Sequence, residues 1–184
     1  MTRIAIHLAK GFEEIEAIVP TDVWRRAGFD VELISITNDR HVTGGHNITF
    51  LTDTTFDKTN YTGFDMIYLP GGVTGANNLD SHEGLREQLK IFAKNDKVIG
   101  AICAAPLVLG HNNLLKGKNA TCFPGFENQL SGANVTGAQV ETDGKIITGI
   151  GAGAAMQYAL AVVAYFNGQK AADELAAKMK VEKA

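Results

Sequence analysis

Lys97-Val98-Ile99-Gly100-Ala101-Ile102-Cys103-Ala104-Ala105-Pro106-Leu107-Val108-Leu109 lays out the plan of this chain in miniature. Val98, Ile99, Ala101 and Ile102 make a short apolar run with the length and β-branched content of a buried parallel strand. Ala104 to Leu109 reads as a helix with Pro106 in its first turn, the one place a helix accepts proline. Cys103 falls at the hinge between the two. A sulfur at a sharp strand-to-helix turn is lifted off the sheet edge and lies beside the unpaired N–H groups of the helix, which favours the thiolate. On that geometry, with a protonated Glu16 as donor, the Cys103 pKa is expected below ~7.5, against ~8.5 for a free cysteine. The arrangement is a nucleophile elbow with Cys in place of Ser. The competing reading is a small hydrophobe at the end of a core strand, since cysteine is among the most buried residue types.

Upstream, Phe64 to Leu69 is a second buried strand, stopped by Pro70-Gly71-Gly72 and followed by a turn. An amphipathic helix comes next, Glu83 to Lys94, with Leu85, Leu89 and Phe92 on one face. Nearer the N-terminus, Arg3 to Leu8 and Asp30 to Ile36 read as strands. The helix between them, Ile15 to Ala27, is ended by Gly28, and Pro20 either kinks it or sits near its first turn. His41 to Leu51 has the β-rich pieces and central Gly44-Gly45 of a hairpin, and Thr52 to Gly63 is polar connector. Downstream, Asn119 to Phe123 is a weak strand that contains Cys122. Ala138 to Glu141 and Lys145 to Thr148 pair like a hairpin at Asp143-Gly144, and two helices, Ala152 to Phe166 and Lys170 to Met179, close the chain. Strands alternating with helices argue for an α/β fold with an open, mostly parallel sheet covered on both faces. Ligands then bind outside the carboxyl ends of the strands, near a topological switch point.

A chain of 184 residues, 45% hydrophobic and 20% charged, is expected to form one domain over 1–184. A net charge of -3 without a Lys/Arg cluster leaves no footprint for nucleic acid or an anionic membrane. Two cysteines make no disulfide framework, and Met1-Thr2-Arg3 running into a strand is no signal peptide, so the cytosol is the expected compartment. The apolar run from Ala152 to Phe166 contains Gln157 and is short for a membrane span; it reads as a buried helix.

Three segments reach the carboxyl ends of strands: Lys10 to Glu16, Pro70 to Gly75 and Cys103 to Pro106. In the first, Glu13 and Glu14 read as solvated first-turn acids that favour the helix dipole. Glu16, between Ile15 and Ala17, is placed where a partly buried carboxyl would stay protonated and donate a hydrogen bond to a thiolate. The Gly71-Gly72 pair lets backbone N–H groups approach a ligand; with the N–H of Ala104 they make a two-donor oxyanion hole, unless the glycines serve only a tight turn. Gly149-Ile150-Gly151-Ala152-Gly153-Ala154 fits a dinucleotide fingerprint but lacks the following strand and acidic residue, so it reads as a turn with close helix-to-sheet packing. The five histidines show no close-spaced ligand pair, each reads as a surface or hydrogen-bonded residue, and His46 is the one to watch. No cofactor and no metal is expected.

With these segments in view the sequence resembles the ThiJ/PfpI superfamily, and within it the DJ-one branch. The resemblance spans nearly the whole chain: Leu8-Ala9-Lys10-Gly11 with Glu13, Glu14 and Glu16; Trp24-Arg25-Arg26-Ala27-Gly28; Leu69-Pro70-Gly71-Gly72 with Gly75-Ala76; and Ala101-Ile102-Cys103-Ala104-Ala105-Pro106. It implies a flavodoxin-like three-layer sandwich and, usually, a homodimer. It also implies a reactive Cys103 hydrogen-bonded by a protonated Glu16, with the Gly72 and Ala104 amides facing the sulfur or its oxidised form. The activities it implies are cofactor-independent glyoxalase chemistry, hydrating methylglyoxal to lactate, or protein deglycase chemistry, so that the partners are small aldehydes. Oxidative-stress sensing through the cysteine, with an oxidant as partner, and chaperone-like behaviour are the alternatives. The protease-like branch has a His after the elbow cysteine; here Ala104 stands there, so a Cys-His peptidase dyad is not expected. Two positions depart from the branch: Phe123 stands where a His is proposed to shuttle protons, and Ile150 where an Arg is usual.

Overall fold

The computed structural model describes residues 1–181; the last three positions of the 1–184 domain expectation lie outside the described residues. In chain order the strands and helices are β1 Arg3–Leu8, α1 Glu14–Arg26, β2 Asp30–Ser35, β3 His41–Thr43, β4 Thr49–Leu51, β5 Thr54–Thr55, β6 Met66–Leu69, α2 Val73–Ser81 and α3 Glu83–Lys94. They continue with β7 Val98–Ile102, α4 Pro106–His111, β8 Asn119–Ala120, β9 Asn134–Val135, β10 Val140–Asp143, β11 Ile146–Gly149, α5 Ala155–Asn167 and α6 Gln169–Lys178. Seven strands form one sheet in the order β10-β11-β7-β6-β1-β2-β5, parallel except for the β10–β11 hairpin. The inner strands are buried on both faces, which is why they read as continuous apolar runs rather than alternating ones.

Side chains alternate between two core layers. Ile67, Leu69, Ile99 and Ala101 pack beneath Leu79, Leu85, Leu89, Phe92 and Leu107 of α2, α3 and α4. Ile4, Ile6, Met66, Tyr68 and Ile102 face Trp24, Tyr158 and Val162 of α1 and α5 on the other side. This is the expected three-layer α/β arrangement. Gly100 of β7 is part of that fit, since a Cβ there would collide with the Tyr158 hydroxyl and the Met66 methyl.

Several expected boundaries move. The polar connector Thr52 to Gly63 contains the two-residue edge strand β5, held by its pairing to Ile34 and Ser35. The turn after Gly72 is the nine-residue helix α2, whose buried Ala76 and Leu79 supply the apolar face that its polar sequence hides. The expected strand Asn119 to Phe123 is only two residues long and pairs with β9 in a separate small sheet, so Cys122 lies outside it. The helix expected from Ala104 starts at Pro106, because Cys103 to Ala105 form the turn. Among the described residues no helix is long and apolar enough to cross a membrane.

Candidate functional site

Cys103 is where β7 ends. Its φ is +65°, a left-handed conformation that a non-glycine residue adopts at a cost on the order of 1–3 kcal/mol. Hydrogen bonds on both sides hold it there: its N–H donates to Gly149 O at 2.9 Å and its carbonyl accepts from Phe123 N at 2.8 Å. The thiol receives the N–H groups of Gly72 and Ala104. The β6 loop must lie close to permit this. A Cβ at Gly71 would stand 2.7 Å from the Cys103 Cβ and 2.8 Å from the Ile102 carbonyl, and Gly72 has φ +82° with its backbone against Gly11 and Glu13.

Glu16 comes from the first turn of α1 and is fully buried. Pro20, four residues on, lies inside the helix rather than in its first turn, and lacking an N–H it leaves the Glu16 carbonyl without its intrahelical donor. The Tyr68 hydroxyl of β6 donates to that carbonyl at 2.8 Å. The gap made by proline thus ties the Glu16 backbone to the sheet. One carboxyl oxygen, Oε2, accepts from Gly71 N at 2.7 Å, while Oε1 is buried without a nitrogen or oxygen partner. The Cys103 thiol is the remaining hydrogen-bonding neighbour of the carboxyl.

Burial pushes the Glu16 carboxyl up to about 7. Burial and the charge of an ionised Glu16 push the Cys103 thiol up to about 12, against the downward pull of the Gly72 and Ala104 N–H groups. A lowered thiol pKa, expected from a helix N-terminus with a protonated Glu16 as donor, is therefore corrected. The helix begins three residues later, and the sulfur shares its pocket with a second acid. The pair gives up one proton near neutrality and resists losing the second, because two negative charges would then sit side by side. With one proton left, it rests on the thiol beside a carboxylate or on the carboxyl beside a thiolate. Those values leave the remaining proton on the thiol beside a carboxylate, and the two N–H donors facing sulfur ease its passage to the carboxyl.

Glu14, expected to be solvated, is 5% exposed. Its carboxylate accepts from His46 N at 2.7 Å and pairs with His46 Nδ1 at 2.8 Å, bonds that hold it below its ordinary value. Glu13 stands 3.6 Å from the same ring. These three side chains are close enough to ligate one cation, a proximity that the linear spacing of the histidines did not reveal. Both Glu14 oxygens already serve the loop, so the cluster clamps the β3–β4 turn onto α1. His7 is buried in the core with Nε2 2.8 Å from the Tyr61 hydroxyl, and burial holds it down at about 3. Gly149 packs as closely as expected, since a Cβ there would meet Ile102 and Tyr158 at 2.8 Å.

Two supporting groups escaped the sequence reading, Tyr68 and the N–H of Gly71. Pro20 signalled that the carbonyl at Glu16 needed a donor, but nothing local said which one. The strand order β2-β1-β6-β7-β11 is the flavodoxin-like one, and Glu16, Gly71, Gly72 and Cys103 meet beside its switch point between β1 and β6. Fold and site together define an α/β protein with an elbow cysteine and a buried carboxyl.

The chain belongs to the DJ-1/PfpI family, whose profile matches residues 2–165. It is 37% identical over 169 residues to Protein DJ-1 homolog B of Arabidopsis thaliana, a match that covers 91% of this chain but 39% of that one. It is 31% identical over 181 residues to the Parkinson disease protein 7 homolog of Danio rerio, covering 96% of each. Among solved structures, oxidized Toxoplasma gondii DJ-1 superposes with a TM-score of 0.95 at 28% identity, with all of both chains covered. The chain spans less than half the length of the plant relatives it matches.

Proposed function

We propose that this protein is a cofactor-independent, cysteine-dependent enzyme acting on small reactive carbonyls, of the glyoxalase or deglycase type. The observation that carries the reading is the Glu16 carboxyl: buried, raised to about 7, held on one oxygen by Gly71 and hydrogen-bonded to the Cys103 thiol. A group titrating near neutrality beside a nucleophile is suited to moving protons in both directions. For an α-oxoaldehyde, the Cys103 thiolate adds to the aldehyde carbon; the C–S bond forms as the carbonyl pair moves to oxygen, which takes the Glu16 proton. The N–H groups of Gly72 and Ala104 stabilise the anion as it develops. Glu16 then removes the proton from that carbon and returns one to the neighbouring carbon, while the hydroxyl proton passes to the neighbouring oxygen, leaving the thioester of a 2-hydroxy acid, which water cleaves to release the acid and the thiol. One water is consumed, one carbon is oxidised as its neighbour is reduced, and no external oxidant enters.

The test is lactate formation from methylglyoxal. Cys103→Ser is expected to lose at least about a thousandfold in rate, as loss of a nucleophile does, while Cys122→Ser stays near the parent. Absence of lactate from the parent protein would sink this reading.

A second reading is favoured by the oxidised state of the Toxoplasma relative: an oxidation sensor whose Cys103 sulfinate is held by the same N–H groups and Glu16. We also infer a cytosolic homodimer, supported by family membership and by exposed Ile15, Ile18, Ile48 and Leu51. Sedimentation at the monomer mass would oppose it.

A further inference from the structure

We propose that the β3–β4 turn aims the N–H donor of Gly72 at Cys103, with Glu14 and His46 as positioning residues: they lock the segment 11–13, and the Glu13 N–H that follows it orients the Gly71–Gly72 peptide. The inference rests on Cys103 being the reacting group, which both readings above share, and not on what the sulfur meets. The carbonyl of Gly71 and the N–H of Gly72 belong to one peptide unit, planar and trans, so they point in opposite directions. The carbonyl accepts from Glu13 N at 2.9 Å, while the N–H faces the Cys103 sulfur. A bond at one end therefore aims the other. The N–H one residue earlier, of Gly71, serves Glu16 Oε2, so two successive peptides hold the two acids of the site.

The segment that leads to Glu13 is packed tightly against these glycines. A Cβ at Gly72 would stand 2.7 Å from Glu13 N, and one at Gly75 would stand 2.7 Å from the Phe12 Cα. The β3–β4 turn grips the same segment, with Gly11 N donating to Thr43 O and Gly45 N to Phe12 O, each at 2.8 Å. Glu14 completes the grip. Its buried carboxylate accepts from the N–H groups of His46 and Ile48 and pairs with the His46 ring, and Glu13 lies 3.6 Å from that ring. Gly44 approaches so closely that a Cβ there would collide with the Glu14 carboxylate. Close-packed groups pass a displacement on rather than absorb it, so releasing the turn misaims the donor at Cys103.

Alkylation of Cys103 by iodoacetamide, followed against pH in a Cys122→Ser background, tests this. Glu14→Ala should slow the reaction at pH 7 by about fivefold, the size of effect that losing one hydrogen bond's alignment produces, and should move its rise to higher pH. Charge alone predicts the reverse, because removing a carboxylate eases formation of a thiolate nearby. Glu14→Gln keeps an acceptor for the His46 and Ile48 N–H groups and should recover most of the rate. His46→Ala alters an exposed ring, keeps the backbone bond to Glu14 and should lose about twofold. Glu13→Pro removes the aiming N–H at a φ of -83°, close to the value proline takes, and should lose at least as much as Glu14→Ala. If the folded variants among Glu14→Ala, His46→Ala and Glu13→Pro all keep the parent rate and pH profile, or exceed it, the proposal is overturned even where their melting temperatures fall. Alkylation needs only the thiolate, so a parent protein that forms no lactate loses the carbonyl reading and leaves this test intact.

Discussion

The two cysteines differ in exposure, Cys122 buried and Cys103 partly exposed, yet desolvation acts on both thiols in the same direction. Burial pushes both thiols up, Cys103 to about 12 and Cys122 to about 11. Around Cys122 the other influence is the charge of Glu127, which also favours the neutral thiol. Around Cys103 there are two N–H donors and a carboxyl that can carry the proton in the thiol's place. The corner at Cys103 also has a left-handed backbone stapled on both sides. A reactive thiol is recognised here by what shares its proton.

Removing that proton partner should erase most of the difference. Glu16→Gln keeps the shape but neither accepts nor releases a proton, so carbonyl turnover should fall by about 10²–10⁴-fold, the usual range for a general acid–base group. Alkylation of Cys103 at high pH should survive, because the variant lacks the Glu16 charge that opposes the thiolate. Equal losses in turnover and alkylation would mean that the carboxyl only holds the turn.

The next effect is on stability against pH. Glu16 has a folded pKa of about 7, above its ordinary 4.5, so its contribution is present in full below 4.5 and lost as pH rises through 7. His7 runs the other way: folded at about 3, below its ordinary 6.5, it contributes above 6.5 and loses that contribution as pH falls through 3. Stability should be flat between 4.5 and 6.5 and decline on both sides. The Glu16 limb is on the order of 3 kcal/mol. Between 4.5 and 6.5 the Glu16 loss cancels the His7 gain, so urea denaturation should be level there in the parent and in Cys122→Ser, whereas Glu16→Gln, left with His7, should gain stability as pH rises from 4.5 to 6.5. A stretch that stays level in Glu16→Gln would assign the opposing limb to another group.

Tyr68→Phe sharpens the comparison from beneath. It removes the donor to the Glu16 carbonyl, leaving that group buried and unpaired at a cost of about 1–3 kcal/mol. Thermal denaturation should report the loss, and turnover should fall with it as α1 loosens its hold on the carboxyl. A fully stable variant would show that water or a local shift replaces the hydroxyl.

The smallest effect is selectivity toward mild peroxide. Cys103 should be converted to sulfinic acid at least about tenfold faster than Cys122, since the thiolate is the species that reacts. Peptide mass spectrometry follows both sites. Glu16→Ala should carry Cys103 onward to the sulfonate more readily, because the sulfinate loses a donor. Equal oxidation of the two cysteines would remove the distinction altogether.

Much of this was legible in the chain itself. Val98 to Ile102 and Phe64 to Leu69, observed as Val98–Ile102 and Met66–Leu69, read as core strands because a parallel strand covered on both faces needs apolar side chains on both. Cys103 at a hinge, Pro70-Gly71-Gly72 after a strand and Glu16 between apolar neighbours marked the three pieces of the site, since turn chemistry and burial leave local signatures. Tertiary structure decided the rest. Val73–Ser81 is helical because Ala76 and Leu79 find a core to pack on, and β5 exists only as a partner for β2. Glu14, which reads as a solvated acid, is buried because the β3–β4 turn folds His46 onto it. Pro20 announced an orphaned carbonyl at Glu16, but its donor, Tyr68, lies 52 residues away. The proton shared between Glu16 and Cys103 depends on desolvation and on groups from three separate strand ends, quantities that no local stretch contains.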